Sequence, residues 1–203
     1  MTVLELLTAE DPRLEPADFL GAAVHQLQMA DLVDVVALEH RDTVLDFFLD
    51  HPDAAERTCA SGHLTGSALV VDATGTQTLL MLHRKLGRWF QPGGHADGNA
   101  NLAAVALREA TEETGIAGLR IALPAIDVDV HVVKPPSEVP HLHLDTRFLV
   151  VAPVGALEHA NEESLALRWL SEAALDSLEP PVDESTRRLV RRGLALATQL
   201  LAG

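Results

Sequence analysis

Apolar residues recur at mixed intervals of three and four from Pro16 to Asp50: Phe19, Ala22, Ala23 and Leu27, then Val36, Leu38, Val44, Phe47 and Phe48. That spacing predicts two or three short helices. His51-Pro52-Asp53 stops the last of them, and a polar stretch to Gly62 sets a boundary near residue 60. The pattern then changes. His63 to Asp72 and Gln77 to His83 are short apolar runs around Ala73-Thr74-Gly75, which predicts a hairpin. Trp89-Phe90-Gln91-Pro92-Gly93-Gly94 follows, and its glycine pair allows a sharp turn and close backbone approach to a ligand. Asn99 or Asn101 can cap a long helix that runs to Thr114, where Gly115 ends it. Ala125 to Val133 and His141 to Ala152 read as a second hairpin around the proline-rich loop Lys134 to Pro140. Trp169 to Leu178 and Asp183 to Leu201 read as helices, the last burying Val190, Leu194, Ala197 and Leu201 and keeping Arg187, Arg188, Arg191 and Arg192 mostly outside. Strands mixed with helices predict an α/β or α+β sandwich.

The 203 residues, 47% of them hydrophobic, suffice for one substantial core with a small appendage. A net charge of −15 argues against a nucleic-acid partner and makes any anionic substrate depend on bound metal and a few local cations. The single cysteine, Cys59, excludes an internal disulfide and suits a reducing cytoplasm. No basic leader opens the chain, and no apolar run nears the roughly 18 residues that would span a membrane.

Candidate chemistry starts with Glu109, Glu112 and Glu113. At helical spacing they stand at i, i+3 and i+4, so three like charges share one stripe, continuing that of Leu102, Val105 and Ala106. They also crowd a helix C-terminus, where the macrodipole opposes them. A cation must offset that cost, and oxygen-only ligands point to Mg²⁺ or Mn²⁺. Arg108 is placed to orient a glutamate. Arg84, Lys85 and Arg88, grouped before the glycine turn of an acidic chain, are candidates for substrate phosphates, with Trp89, Phe90, Phe148 or Trp169 as candidate stacking surfaces.

Gly94, Arg108, Glu109, Glu112, Glu113, Gly115 and Ile116 together resemble the signature of the Nudix hydrolases: glycine, five residues, glutamate, seven residues, then Arg-Glu, aliphatic, any, Glu-Glu, any, Gly, aliphatic. The hairpin before this stretch and Arg168-Trp169-Leu170 after it resemble the family's flanks, so the likeness runs from about His63 to Leu178. It implies an α/β/α sandwich with a mixed sheet, here behind a helical N-terminal extension of residues 1–60, and hydrolysis of a phosphoanhydride in a nucleoside diphosphate linked to another moiety. By resemblance Glu109, Glu112 and Glu113 bind the divalent ions and activate water, the Gly93 carbonyl is a further candidate ligand, and Glu162 or Glu163 is a candidate distal base or ligand. The signature departs at one point: its first glutamate falls at Ala100, with Asp97 three residues earlier as a candidate substitute. That departure bears on metal number and rate, and favours the runner-up, a Nudix-fold binding or regulatory module of little turnover.

Ten histidines are unusual in a chain this size. His141, His143 and Asp145 alternate on one face of a strand, as do Asp127, Asp129 and His131 on its expected partner. With His63 and His95 they are candidates for a second, histidine-bound metal, since imidazole with carboxylate suits Zn²⁺, Mn²⁺ or Fe²⁺ better than Mg²⁺. His63 and His95 also look like the metal-binding histidines of isopentenyl-diphosphate isomerases, which share the Nudix fold. Those enzymes carry a catalytic cysteine just before the second histidine, where this chain has Gly93-Gly94, so the isomerase reading ranks third. A small phosphorylated, nucleotide-like substrate is expected, with no membrane partner; shielding the sheet edge, forming a homodimer interface and capping the pocket are all open roles for the N-terminal segment.

Overall fold

The computed structural model of this protein describes residues 3–134, 139–162 and 164–202. Its elements are β1 (Glu5–Leu7), α1 (Gly21–Met29), α2 (Val35–Asp50), β2 (Gly62–Val71), β3 (Thr78–His83), β4 (Arg88–Phe90), β5 (Gly93–His95), α3 (Leu102–Thr114), β6 (Arg120–Val133), β7 (His141–Val151), β8 (Ser164–Leu170) and α4 (Glu184–Leu201). Short 3-10 turns lie at Pro12–Leu14 and Glu172–Ser177.

Both expected hairpins form. In the first, Val70 faces Leu79 and Val71 faces Thr78, and Asp72 accepts from the N–H groups of Thr76 and Gln77 at 2.8 Å, which closes the turn. In the second, β6 pairs antiparallel with β7, bringing His131 opposite His143, Asp129 opposite Asp145 and Asp127 opposite Arg147. Part of the loop expected at Lys134 to Pro140, residues 135–138, lies outside the described residues. A long parallel pairing of β2 with β7, from Gly62 opposite Leu142 to Val71 opposite Val151, joins the two hairpins. The sheet runs in the order β1-β6-β7-β2-β3-β4, with β5 also on β2 and β8 on β3.

Alternation along β2 and β7 divides the core. Leu64, Ala68, Val70, Leu144 and Phe148 pack with α1, α2 and α3, while Leu69, Val71, Leu149 and Val151 pack with α4. The architecture is therefore a mixed sheet between two helical layers. α3 is built for its place: Asn101 caps it, its side chain accepting from Ala104 N–H at 3.3 Å, and Gly115 at φ 67° ends it in the left-handed region. Glycine is required on the facing strand too, because a Cβ at Gly66 would stand 2.6 Å from the Leu102 carbonyl oxygen.

Three expectations need correction. Trp169 and Leu170 are the last residues of strand β8, which pairs with β3, and only the 3-10 turn Glu172–Ser177 occupies the rest of the expected helix. The first 60 residues are not purely helical, since β1 adds to the sheet edge with Glu5 opposite Leu123. Arg188 and Arg192 of α4 are not outside: they turn inward to Asp127 and Asp129 and to Asp31 respectively. No helix among the described residues is long and apolar enough to cross a membrane.

Candidate functional site

β5 brings the glycine pair between β2 and α3. Gly94 stands opposite Gly66 and turns toward α3, where an added Cβ would lie within 2.5 Å of Glu109 Oε2. The missing side chain is thus the space that the Glu109 carboxylate occupies. Glu113 is buried and accepts the Gly93 N–H at 2.8 Å. Arg108 donates to Glu109 at 2.6 Å and to the His95 carbonyl at 3.1 Å, tying the acid to β5 from the other side. Burial pushes the Glu109 carboxyl above its ordinary value; the Arg108 hydrogen bond opposes this, and the charges of Glu112 and Asp97 add to it. A carboxylate so placed favours company that replaces its lost hydration: a proton or a cation.

Glu112 differs. It is exposed, beside a shallow groove also lined by Ala9, Leu14 and Leu107. Among the described residues, the groups of three or more ligating side chains whose donor atoms lie within 4.8 Å of one another are His63/His95/His143 and His51/Asp53/Cys59. The glutamates converge less than their spacing alone predicts, because Glu109 and Glu113 turn to β5 while Glu112 faces solvent. Glu163 lies outside the described residues.

Ala100, where the signature has its first acid, is 1% exposed and donates its N–H to the Ala17 carbonyl at 2.7 Å. Asn99 accepts the Ala17 N–H, and the Asn101 amide donates to the carbonyls of Arg13 and Glu15. Gln26 accepts from Leu102 N–H at 2.9 Å. The N-terminal segment is therefore stitched over the entry to α3. Asp97, the candidate substitute, pairs with Arg57 at 3.1 Å.

The opposite face of β2, β5, β6 and β7 carries two polar layers beyond the apolar one under α4. The first is ionic. Arg147, 4% exposed, meets Asp145 at 2.7 Å, Asp127 at 3.1 Å and Asp129 at 3.2 Å, and Arg188 of α4 meets Asp127 at 3.0 Å. Asp145 also accepts from Thr65 Oγ1 at 2.9 Å and Ser67 Oγ at 2.8 Å, so its oxygens are engaged and it drops out as a metal ligand. Sequence reasoning missed Arg147, although the His141, His143, Asp145 alternation continues to it and a charged residue inside a strand is itself a signal.

The second layer is imidazole. His63 lies 4.8 Å from His95, 4.8 Å from His141 and 5.0 Å from His143, measured between ring centroids, and His131 lies 5.5 Å from His143. Burial holds the rings of His63, His95 and His143 toward neutrality: His63 is lowered, His95 is lowered to about 4 with Arg57 and His63 contributing, and His143 is lowered to about 2 with His95 and His131 contributing. Arg57, a partner the sequence did not reveal, places a guanidinium nitrogen 2.8 Å from His95 Nδ1.

The expected phosphate contacts are dispersed. Arg84 donates to the carbonyls of Glu162 and Ser164, Arg88 reaches Asp183 at 3.9 Å, and Lys85 is exposed in the β3–β4 turn. Trp89 is 3% exposed, packs in the α4-side core and donates its indole N–H to the Glu179 carbonyl, so it is removed from any substrate contact. Among the stacking candidates Phe148 is likewise wholly buried.

A family model described as the NUDIX domain matches residues 63–193, well over half of the chain. The chain belongs to the Nudix family. It is 35% identical over 105 residues to "Putative 8-oxo-dGTP diphosphatase 3" of Mycobacterium tuberculosis, a match that covers 48% of this chain and 46% of that protein. The matched stretch thus spans under half the length of this relative. Among solved structures, a Caenorhabditis elegans Ap4A hydrolase binary complex aligns with TM-score 0.53 and 17% identity over 67% of this chain and 98% of that one. A Jonesia denitrificans protein described as a possible asymmetric diadenosine tetraphosphate hydrolase aligns with TM-score 0.50 and 18% identity over 68% and 95%. At such identities the likeness is one of Nudix fold.

Proposed function

We propose that this Nudix protein is a divalent-metal-dependent hydrolase that cleaves the phosphoanhydride bond of a nucleoside diphosphate linked to another moiety. The observation that carries this is the Glu109 carboxylate, partly desolvated, in the space left by Gly94, beside Glu113 on the Gly93 N–H. An oxygen-only donor set of this kind fits Mg²⁺ or Mn²⁺, with Glu109, Glu112, Glu113 and the Gly93 carbonyl as the holding groups. Bound there, the ion would neutralise diphosphate oxygens and polarise the attacking water. Arg108 orients Glu109, which with Glu112 and Glu113 is the candidate to activate water, and Glu113 fixes the glycine turn against which a diphosphate would lie. Arg84, Lys85 and Arg88 are retained as outer contacts for the substrate's charge.

The substrate is a small nucleotide-like molecule, and the relatives' names make 8-oxo-dGTP and diadenosine tetraphosphate the first to try. The chain is read as an extension of residues 1–60 on a catalytic domain, working in a reducing cytoplasm as Cys59 suggests. One observation favours the second reading, a binding module of little turnover: the position of the first acid is Ala100, closed under Ala17.

Purified protein is incubated with nucleoside di- and triphosphates including 8-oxo-dGTP, nucleotide sugars, dinucleoside polyphosphates and NADH, with Mg²⁺ or Mn²⁺, and phosphate or pyrophosphate release is measured. Release from one class, reduced on the order of 10²-fold or more in Glu112→Gln, is expected. Tight binding without release supports the module, and release that is unchanged in Glu112→Gln overturns the assignment of the acidic site.

A further inference from the structure

We propose that His63, His95 and His143 form a second binding site, for a divalent transition metal of the Zn²⁺ class, with His141 poised as a fourth ligand. The site lies on the sheet face opposite α3, so it is separate from the carboxylates and takes a different ion.

The residues converge from three strands. His63 and His143 are register partners in the parallel β2–β7 pair, and β5 delivers His95 opposite Thr65, two residues along β2 from His63. One ring nitrogen from each lies within 4.8 Å of the others, so rotations of the partly buried His95 and His143 bring them to the roughly 2.0–2.1 Å that a zinc–imidazole bond requires. Nitrogen donors without charge select Zn²⁺, Co²⁺ or Ni²⁺ over Mg²⁺.

His63 supplies the independent observation. It is 2% exposed, and neither ring nitrogen makes a hydrogen bond of ordinary geometry. A neutral imidazole carries one donor and one acceptor, and leaving such groups buried and unmade is costly. An ordinary core histidine would have one of them satisfied by a neighbouring hydroxyl or carbonyl. Here the Cys59 backbone comes near the ring without closing such a bond, and the other neighbours are the imidazoles of His95, His141 and His143, which a cation can bridge.

His141 is prepared in the manner of a ligand. Its Nδ1 lies 2.9 Å from the Val139 carbonyl and can only be the donor there, which leaves Nε2 unprotonated in the neutral ring. His95 is held differently. Arg57 donates to its Nδ1, so in this state that nitrogen is the acceptor and Nε2 carries the proton. A metal at Nδ1 would displace the guanidinium directly. A metal at Nε2 would move the proton to Nδ1, where Arg57 can no longer donate. In either case Arg57 must release His95 and fall back on Asp97, which it already pairs at 3.1 Å. Arg57 is therefore a built-in competitor of the metal.

Metal-stripped full-length protein is mixed with Zn²⁺, freed of excess by gel filtration and assayed for bound metal; Co²⁺ absorption reports the donor set, since a nitrogen-rich four-coordinate site absorbs far more strongly than a six-coordinate oxygen site. The wild type and Glu109→Gln are expected to retain one equivalent with an intense Co²⁺ band. His63→Gln and the milder His95→Gln, the latter at a partly exposed position, are expected to lose it with their circular dichroism unchanged. Arg57→Ala is expected to tighten the Zn²⁺ Kd several-fold. Retention of the equivalent by His95→Gln, its loss in Glu109→Gln, or weaker binding by Arg57→Ala overturns the proposal. Hydrolysis plays no part in these readouts, so this inference and the proposed function fail separately.

Discussion

Gly94 positions an acid by having nothing of its own. An added Cβ would lie within 2.5 Å of Glu109 Oε2, and the backbone of β5 cannot retreat because Gly93 on one side and His95 on the other are paired to β2. The carboxylate would have to leave. Gly94→Ala is therefore expected to preserve the fold at a cost of about 1–3 kcal/mol of overpacking, while kcat/KM falls on the order of 10²-fold through misplacement of Glu109. Thermal unfolding beside single-turnover hydrolysis separates the two effects; equal loss of both would mean that Gly94 serves packing alone. The same argument explains why the signature glycine could be read from the sequence as a site of close approach, whereas the direction each glutamate takes could not. Spacing put Glu109, Glu112 and Glu113 on one stripe, but the side of that stripe closed by β5 depends on a strand of three residues that carries no pattern of its own.

Between elements, the ionic layer joins β6, β7 and α4. Arg147 is surrounded by three aspartates, and Arg188 reaches in from α4 to two of them. Removing the central cation leaves buried carboxylates facing one another, so Arg147→Met is expected to cost about 3–5 kcal/mol in urea unfolding. Protons probe the same layer. Burial by itself would raise the Asp129 carboxyl, but the His131 hydrogen bond and the Arg147 charge outweigh it and hold Asp129 well below the usual carboxylate range. A group depressed in the folded state binds its proton more readily when unfolded, so its contribution is complete above its ordinary value of 3.8 and is lost as the pH falls below that. Asp129→Asn should flatten this acid limb of the stability profile, measured by urea midpoints from pH 6 to 3; an unchanged slope would assign the acid loss to other carboxylates.

At this scale the sequence was legible where partners are close along the chain. The hairpins at residues 62–83 and 120–151 followed from alternation and turn residues. The parallel pairing of β2 with β7 left no local trace, because Gly62 and Leu142 are register partners separated by a whole helix and four strands. Ser164–Leu170 was missed for a related reason: Leu165, Leu167, Trp169 and Leu170 mix periods of two and one, and an alanine-rich turn follows that reads as helix. The histidines were visible as alternation on two strands, but the neutrality that makes them ligands comes from burial by their neighbours, and the role of Arg57 comes from a polar stretch without periodicity.

Over the whole molecule, the first 60 residues are part of the core. Leu7, Leu14, Ala23, Leu27 and Val44 pack in one cluster with Leu64, Ala68, Leu102 and Phe148, and Arg192 of α4 reaches back to Asp31. Deletion of residues 1–60 would expose that apolar surface and open the sheet edge at β6. The truncated chain is expected to be insoluble or to lose its cooperative thermal transition; a soluble, cooperatively melting fragment would show the extension to be a separable cap.

The roof over Ala100 carries a lesson about exchange of parts. Asn99, Ala100 and Asn101 are all bonded to the stretch from Arg13 to Ala17, and the methyl group at 100 is sealed in the core beneath it. A carboxylate placed at that one residue would arrive among the apolar side chains of the core, at the cost of its hydration. Restoring the full acidic signature requires rewriting the leading segment at the same time, so the two stretches, more than eighty residues apart, behave as a single heritable unit in which neither half can be swapped with a relative on its own.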